Sequence, residues 1–353
     1  MENTISIASS TEATTTLGPF TGQPISASVR VLVSTLGWLA CVSGVFGNIL
    51  IITTLLSQPA LRSLHNLYIG NLALADLLIV GYCVPFWLLD LALGYTPVLN
   101  QRHCNANSFL LFLCLNASIY TLVLIGFNRY LSVCHAGVYV RLFNKTNTIV
   151  SCVGVWIFSA SLSILPFFHV RNTAFVYSSK AHLCSFNGTD TGNLFSIISV
   201  INVVLPTIFV GFFSLSIFRY WSQSRRRISQ WSQNQSQSHN QNQNQRQSQI
   251  PKVRSGLSSA NIAFIRSLVL VFLLLVLLYI PLSVTVAITG SVYVSPDVYG
   301  VLVLIFFLNN SINWIVYGLL NKNFKNGYKR LLMARCLGST ASVEVECTLA
   351  TVK

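Results

Sequence analysis

The sequence has little charge, since Asp, Glu, Lys and Arg make up only 8% of its 353 residues. Soluble domains carry about a quarter charged residues. Acidic side chains are scarcest, with 8 Asp and Glu against 22 Lys and Arg, whereas 53% of the residues are hydrophobic. This composition excludes an ordinary water-soluble domain. The basic residues lie between long apolar runs rather than on one polar face, which argues against a nucleic-acid-binding protein.

Other features that would define a class are also missing. The stretch 1–28 has no basic region followed by a short apolar core, so we expect no cleavable signal peptide. The nine Cys form no CxxC pair, which argues against a zinc or redox motif. The six His lie in loops or at predicted helix ends without paired carboxylates, so the chain is not expected to be an enzyme.

Long apolar runs are what the sequence does contain. A helix needs about 20 apolar residues to cross a bilayer. Seven stretches meet this length: Val29–Leu56, Leu67–Leu93, Phe109–Val133, Thr148–Phe168, Leu194–Phe218, Ile262–Ile288 and Val298–Leu320. The sequence therefore predicts an all-α membrane protein, a seven-transmembrane helix bundle over residues 29–320.

The distribution of basic residues predicts the orientation of the bundle. An odd number of helices places the termini on opposite sides, and Lys and Arg near helix ends are retained in the cytoplasm. With the N-terminus outside, only Arg30, Arg102, Arg171 and Lys180 of the 22 basic residues face outward. Residues 1–28 are therefore predicted to be an extracellular tail of a plasma-membrane protein.

Two inner segments follow from composition. The third inner loop, 219–261, is rich in Gln, Asn and Ser at its centre and is predicted to be a flexible linker whose basic ends continue the flanking helices. Residues 321–333 alternate apolar and basic side chains at helical spacing, which predicts an amphipathic helix on the inner membrane surface. In the cytoplasmic tail, 334–353, Cys336 is either palmitoylated or a free thiol.

Asp76 is the most conspicuous polar residue within a predicted span. A carboxyl group in a bilayer needs a cation or hydrogen-bond donors from other helices. Candidate partners at a similar depth are Asn48, Ser118, Asn309 and Asn313. Their oxygens suit a hard cation such as Na⁺, but the same residues also fit a polar cluster that joins helices. The residues alone leave both interpretations open.

Arg129 lies at the inner end of the third predicted helix, between Asn128 and Tyr130. An isolated Arg at this depth is most simply explained as a side chain that reaches the inner interface and obeys the charge rule. Its sequence context supports a second interpretation.

Motifs in all seven predicted helices resemble those of rhodopsin-like (class A) G-protein-coupled receptors, over about residues 30–332. Each motif alone is weak, but their order and depth match. They are Gly47-Asn48, Leu72-Ala-Leu-Ala-Asp76, Cys104, Asn128-Arg129-Tyr130, Trp156, Pro206, Pro281 and Asn313-x-x-x-Tyr317.

Within that family the chain is similar to the melatonin-receptor group in Asn128-Arg129-Tyr130-x-x-x-Cys134-His135 and in Tyr317-Gly-Leu-Leu-Asn-Lys-Asn-Phe324. Tyr279-Ile-Pro281 and Cys184-Ser-Phe186 are more similar to the medium-chain fatty-acid receptor-like group. The resemblance implies coupling to a heterotrimeric G protein, of the inhibitory type for the melatonin-like features, with arrestin and receptor kinases as further partners.

The resemblance also implies roles for individual residues. It pairs Cys104 with Cys184 in a disulfide. It places Asp76, with Ser118, Asn309 and Asn313, at an allosteric Na⁺ site, and no other cofactor is expected. Arg129 becomes the pivot of the G-protein cleft, with Tyr130 and Tyr317 beside it. The chain departs from the pattern in four places: Asn128 replaces an acid, Tyr279 a Trp, Trp314 a Pro and Ser214 a Tyr.

The predicted ligand pocket is apolar with a single amide and no fixed charge: Leu111, Phe112, Leu115, Ile198, Asn202, Leu282 and Phe307. Leu111 stands where amine receptors place an Asp, so we expect a small lipophilic ligand that is neutral in its buried part. A ligand carboxylate is allowed only at the outer rim, where it would meet Arg171, Lys180, His169 and His182. The alternative is that these four only decorate a solvated loop.

Among the glycosylation sequons, only Asn187 is predicted to be used, because Asn144 and Asn234 face the cytoplasm and Asn116 lies in the membrane. The sequence leaves two alternatives to a ligand-activated receptor. A receptor-fold protein that binds no diffusible ligand and partners other receptors would signal without ligand. A transporter is disfavoured by the odd number of helices without matched repeats.

Overall fold

The computed structural model describes residues 25–93, 101–169, 175–178, 181–186, 200–239, 259–288 and 293–333. Within them, seven helices are long and apolar enough to cross a membrane, which confirms the predicted bundle. We number these spanning helices α1 to α7. They are α1 Ala27–Ser57, α2 Leu64–Leu93, α3 Gln101–Cys134, α4 Lys145–His169, α5 from Val200 to His239, α6 Ser259–Ile288 and α7 Pro296–Leu320.

Shorter elements complete the described part. A turn of 3₁₀ helix, Pro59–Leu61, follows α1, and a short helix, Ala136–Leu142, follows α3. Strands β1 (Phe175–Ser178) and β2 (Leu183–Phe186) form an antiparallel hairpin at the end of the bundle predicted to face outside, with Phe175 opposite Phe186 and Ser178 opposite Leu183. Helix α8 covers residues 322–333.

Two spanning helices contain a π-helical segment. In α2 it is Ile79–Cys83, and α5 begins with one, Val200–Val204. Each lies just before a proline, Pro85 in α2 and Pro206 in α5. Proline lacks the N–H group that a regular helix needs, and a wider turn beside it accommodates the missing hydrogen bond.

The bundle is apolar on its outer surface, unlike a soluble domain, and its interior combines an apolar core with several buried polar groups. Large apolar side chains such as Leu277, Leu319 and Phe168 are 63%, 72% and 80% exposed on its outer surface. Asn48 and Asp76 are fully buried. Helix α3 packs against α2, α4 and α5, and α7 packs between α1 and α6. Polar groups that cannot face lipid therefore meet around α2, α3 and α7.

The inner end of α5 differs from the sequence-based expectation. The basic ends of the third inner loop were predicted to continue the flanking helices, as Arg225–Arg227 do, but the helix also extends to His239, into the centre that was predicted to be flexible. This segment contains no Gly or Pro, and Gln and Arg are good helix formers. A helix already nucleated in the membrane extends through such residues at little cost, even where no core can form. Residues 259–261 belong to α6, and 240–258 lie outside the described residues.

Helix α8 confirms the predicted inner helix, but its apolar side chains are arranged differently. Phe324 and Tyr328 were expected to face lipid, yet they are buried against the bundle. Tyr328 donates a hydrogen bond to the carbonyl oxygen of Trp314 (3.4 Å), and burial raises the pKa of its phenol. Leu332 and Met333 are exposed beside the basic residues Lys325, Lys329 and Arg330. Only this last part of α8 presents apolar side chains outward.

Glycines in α1 allow α7 to approach closely. A Cβ on Gly47 would collide with the indole ring of Trp314, and one on Gly44 would lie 2.9 Å from Ser311 Oγ. Trp314 occupies the position where the resemblance implies a proline, and it packs edge-to-face on Phe46 with ring centroids 5.8 Å apart. The absence of a side chain at Gly47 therefore makes room for Trp314.

Gly47→Ala is expected to destabilise the protein by about 1–3 kcal/mol, because the added methyl group overpacks this contact. The measurement is thermal unfolding of the purified protein in detergent. Gly154→Ala is the matched control, since a Cβ there meets nothing within 4 Å. Equal melting temperatures for the two variants would contradict the packing described for Trp314.

Candidate functional site

A buried polar cluster joins α2, α3 and α7 around Asp76. The carboxylate accepts hydrogen bonds from Ser118 Oγ (2.9 Å) and Asn310 Nδ2 (2.8 Å) on Oδ1, and from Asn313 Nδ2 (2.7 Å) on Oδ2. These donors satisfy a charge that would otherwise be very costly to bury. The structure thus brings together Asp76, Ser118 and Asn313 as predicted.

The fourth predicted partner is wrong, since Asn310 rather than Asn309 donates to Asp76. Both Asn309 and Asn310 are buried, and each shares a helix face with Asn313, at a spacing of four or three residues. Spacing alone could not separate the two. Asn48 supports the cluster from α1, because its Nδ2 donates to the carbonyl oxygens of Gly44 (3.0 Å) and Asn310 (3.1 Å).

The cluster has the donor set of a hard-cation site. The Oδ1 atoms of Asn48 and Asn310 are buried and accept no hydrogen bond from the described residues. Together with the Asp76 carboxylate and Ser118 Oγ, they offer three kinds of oxygen from four side chains within one hydrogen-bonded group. Carboxylate, amide and hydroxyl oxygens are the ligands that hard cations prefer. The residues present therefore fit Na⁺.

A second polar network lies nearby and was missed by sequence reasoning. Asn71 Nδ2 donates to Thr121 Oγ1 (2.7 Å), and Trp156 Nε1 donates to Asn71 Oδ1 (2.8 Å). These bonds join α2, α3 and α4. An amide five residues before Asp76 in an apolar helix was the available signal.

At the inner end of α3, Arg129 is half-buried among aromatic and polar side chains. The phenols of Tyr139 and Tyr317 and the imidazole of His65 lie close enough to interact with it electrostatically. Asn128 is fully buried, and neither its Oδ1 nor its Nδ2 is hydrogen-bonded to a described residue. The neighbouring amide therefore does not hold Arg129 as a carboxylate would.

The residues beside Arg129 face different helices. Tyr130 contacts Phe213 of α5, with ring centroids 5.5 Å apart, and its hydroxyl is 2.9 Å from His135 Nε2. Tyr317 of α7 packs on Phe324 of α8, with centroids 5.7 Å apart. Arg129 therefore lies where α3 meets α7, and Tyr130 and Tyr317 extend the contacts to α5 and α8.

Aromatic side chains connect the middle of α6 to α7 and α2. Tyr279 lies two residues before Pro281 in α6. It packs on Phe306 of α7, with ring centroids 4.8 Å apart. Phe306 contacts Phe307 (5.5 Å), and Phe307 contacts Trp87 (5.3 Å). A displacement of α6 at Tyr279 would therefore be felt at the outer end of α2.

Most of the predicted pocket residues are buried in the core of the bundle or packed against it. Leu111, Leu115 and Phe307 are buried in the main core cluster that includes Tyr279, and Leu282 packs against it. Asn202 is 6% exposed, and its Oδ1 has no hydrogen-bond partner among the described residues. Phe112 instead stacks on Phe175 of the outer hairpin, with centroids 5.7 Å apart. Ile198 lies outside the described residues.

The predicted disulfide between Cys104 and Cys184 is confirmed, with Cα atoms 5.5 Å apart. It ties β2 to the outer end of α3. Two further bonds reinforce this contact: Ser108 Oγ donates to the carbonyl oxygen of Cys184 (2.8 Å), and Gln101 Nε2 donates to that of Phe175 (2.7 Å).

The predicted basic rim included His182 as a possible partner of a ligand carboxylate. In the structure, Nδ1 of His182 lies 3.0 Å from Oδ2 of the buried Asp90, so His182 already has an acidic partner within the protein. The pairing of Asp90 with His182 is not marked in the sequence, because the two residues are 92 positions apart in the chain. Arg171, Lys180 and the side chain of His169 lie outside the described part.

The structure has the features of a seven-helix membrane receptor. They are the seven spanning helices, the buried polar cluster around Asp76, the hairpin fixed by a disulfide and Arg129 at the inner end of α3. The sequence model described as 7 transmembrane receptor (rhodopsin family) matches residues 47–317. The chain belongs to this family of G-protein-coupled receptors. It is therefore a multi-pass plasma-membrane receptor that signals through a G protein in response to a ligand, and it is not an enzyme.

Similar receptors agree with the melatonin-like motifs. The chain is 29% identical to human melatonin receptor type 1B over 297 residues, which cover 82% of this chain and 75% of that receptor. It is 27% identical to melatonin receptor type 1B-B of Danio rerio over 314 residues, 87% and 83% of the two chains. Melatonin receptor type 1C of Xenopus laevis is 28% identical over 298 residues, 82% and 64% of the two chains.

Proposed function

We propose that this receptor binds a small lipophilic ligand, neutral in its buried part, and couples to an inhibitory-type heterotrimeric G protein. The carrying observation is the apolar lining around Leu111, Leu115 and Phe307. A charged group buried against these side chains would lose its hydration at a cost of several kcal/mol. Asn202 supplies an amide oxygen that can accept one hydrogen bond from such a ligand.

Similarity to melatonin receptors supports the inhibitory-type coupling but does not extend to the ligand. The resemblance would place an Asn near Pro166 and Phe167, a His at Asn202 and a Gln at Gly188, and this chain lacks all three. We therefore infer a ligand other than melatonin, with a similar lipophilic character.

The test is a screen in transfected cells that reports dissociation of each class of G protein. The collection contains matched neutral, acidic and aminergic lipophilic compounds, with melatonin as one member. Neutral compounds are expected to activate the inhibitory-type G protein. A primary amine as the most potent agonist would overturn the pocket assignment, and activation of a stimulatory type alone would overturn the coupling.

The Asp76 cluster is proposed as an allosteric Na⁺ site. It is supported by the oxygen donors of Asp76, Ser118, Asn48 and Asn310. A cation held between α2, α3 and α7 would favour the packing in which these helices lie together, so Na⁺ should stabilise the inactive state.

Ligand-independent signalling is a second candidate mode, favoured by one observation. The side chain of Asn128 makes no hydrogen bond to a described residue and cannot form the ion pair with Arg129 that an acid would. One restraint on the inactive state is therefore missing. Signalling of the expressed receptor in the absence of any compound would reveal this mode.

Orientation is proposed with the N-terminus outside, which the outer disulfide supports, since disulfides form in oxidising compartments. Arrestin, receptor kinases and anionic membrane lipids are proposed as further partners on the inner side. Palmitoylation of Cys336 also stays a prediction, and this residue lies outside the described part.

Asn187, which also lies outside the described residues, is predicted to carry the N-linked glycan. Treatment of the expressed receptor with a glycosidase is expected to increase its electrophoretic mobility, and Asn187→Gln should abolish that shift. Asn144→Gln is the control and should leave the shift unchanged, because Asn144 precedes α4 on the proposed cytoplasmic side. A shift that survives Asn187→Gln would contradict both the site and the orientation.

A further inference from the structure

The outer hairpin is held at two places by different chemistry. Its strands are attached to α3 by the disulfide and by the bond from Ser108 to Cys184. Its turn is attached to α2 instead, where Trp87 Nε1 donates to the carbonyl oxygen of Ala181 (3.1 Å). His182 in this turn has φ of 51°, a left-handed conformation that residues with side chains rarely adopt. Surrounding contacts must impose such a conformation.

The contact that imposes it is a carboxylate at the outer end of α2. Asp90 is 1% exposed, and its Oδ2 accepts hydrogen bonds from Tyr177 Oη (2.5 Å) and His182 Nδ1 (3.0 Å). Its Oδ1 is buried and accepts no bond from the described residues, so both bonds converge on one oxygen. We name Asp90, Tyr177 and His182 the outer clasp.

The outer clasp lies next to residues of the predicted ligand pocket. Trp87, one helical turn before Asp90, packs on Phe307, a residue of the predicted pocket, with centroids 5.3 Å apart. On the other side of the hairpin, Phe112 of the predicted pocket stacks on Phe175. The hairpin therefore bridges two sides of the same site, one through α3 and the other through α2.

We propose that Asp90 is a positioning residue that fixes the hairpin over the outer end of the ligand site, acting through Tyr177 and His182. The disulfide anchors β2 to α3, whereas the turn is held against α2 by the bond from Trp87 to Ala181 and by the outer clasp. The carboxylate fixes the turn against α2. The location of the ligand site rests on the proposed function, but the action of Asp90 on the hairpin does not.

Hydrogen–deuterium exchange on the full-length receptor in lipid nanodiscs, without ligand or G protein, tests the first half of this proposal. Loss of hydrogen bonds to a charged acceptor costs about 1.5–3 kcal/mol, so Asp90→Asn should speed amide exchange over residues 175–184 roughly tenfold or more. Tyr177→Phe should give a smaller increase, and it decides the matter if Asp90→Asn does not fold. Asp297→Asn is the control, because that carboxylate accepts from the Ser26 amide (2.7 Å) away from the hairpin.

Swapping the two residues of the pair distinguishes a positioning role of Asp90 from a general loss of stability. Asp90→His combined with His182→Asp restores the pair in reverse and should recover much of the lost protection. Exchange rates within twofold of the wild type in both Asp90→Asn and Tyr177→Phe would overturn the proposal. If amide exchange in the double variant is as fast as the combined effects of Asp90→His alone and His182→Asp alone predict, the proposed role of the pair is overturned.

Cysteine accessibility tests whether the hairpin covers the ligand site. Leu111→Cys places a thiol in the predicted pocket, and its reaction with a small water-soluble methanethiosulfonate is measured above that of the parent, whose Cys41, Cys83 and Cys114 are buried and whose Cys134 and Cys152 are half-buried. Adding Asp90→Asn should speed this reaction by a factor similar to the one seen in exchange. Faster hairpin exchange with an unchanged labelling rate would overturn the covering role, whatever the receptor's ligand or G protein proves to be.

Discussion

Arg129→Ala is expected to abolish G-protein activation while leaving the receptor at the cell surface. In the structure Arg129 is half-buried at the inner end of α3, with Tyr139 and Tyr317 close enough to interact electrostatically. Truncating one partner of a buried charged contact costs about 2–5 kcal/mol, which corresponds to a roughly 30-fold or greater loss of signalling. The fold should tolerate the change, because the core of α3 is formed by other residues, such as Leu111, Leu115 and Leu122.

The measurement compares activation of the G protein with surface expression for Arg129→Ala, Arg129→Lys and Arg141→Ala. Arg141 is exposed on the short inner helix and serves as the control for loss of an inner positive charge. Arg129→Lys should recover little signalling, since an ammonium group does not replace the planar guanidinium. Full signalling by Arg129→Ala would return this residue to a simple interfacial role.

Sodium is expected to raise the thermal stability of the wild-type receptor, and Asp76→Asn should remove this effect entirely. A cation that binds only the folded state stabilises it by about 1.4 kcal/mol at roughly ten times its Kd. The measurement is the difference in melting temperature between NaCl and KCl at equal ionic strength. Asp76→Asn keeps one oxygen and the shape of the side chain but removes the negative charge that a cation requires.

Two neighbouring amides make this test specific. Asn310→Ala should reduce the sodium effect. Nδ2 of Asn310 donates to Asp76, and its Oδ1 accepts no hydrogen bond from the described residues and is thus available to a cation. Asn309→Ala should preserve it, although both residues are buried. Retention of the full sodium effect in Asp76→Asn would contradict the cation site and leave only a polar cluster between helices.

The sequence alone was sufficient for the architecture, because spanning helices are marked by length and composition. Seven apolar runs predicted seven helices, and most ends agree within a few residues. The exceptions are α3, which begins at Gln101 rather than Phe109, and α5, which continues to His239. Polar residues extend a helix beyond the membrane without leaving an apolar signal.

The site was predictable only in part, for geometric reasons. Asp76 and Ser118 were found because polar groups are rare in apolar helices. The choice between Asn309 and Asn310 required the rotation of α7, which spacing does not give. The disulfide was known through family resemblance rather than through spacing. The contact between Asp90 and His182 could not be predicted, because it depends on where the hairpin lies.

Nucleotide exchange on a purified inhibitory-type heterotrimer tests the central claim most directly. The full-length receptor is reconstituted in lipid nanodiscs and measured with and without the most potent compound from the screen. We predict that the wild type accelerates exchange, that the compound increases this further, and that Arg129→Ala does neither. Equal acceleration by the wild type and Arg129→Ala, or acceleration only of a stimulatory-type heterotrimer, would contradict the proposed mechanism of coupling.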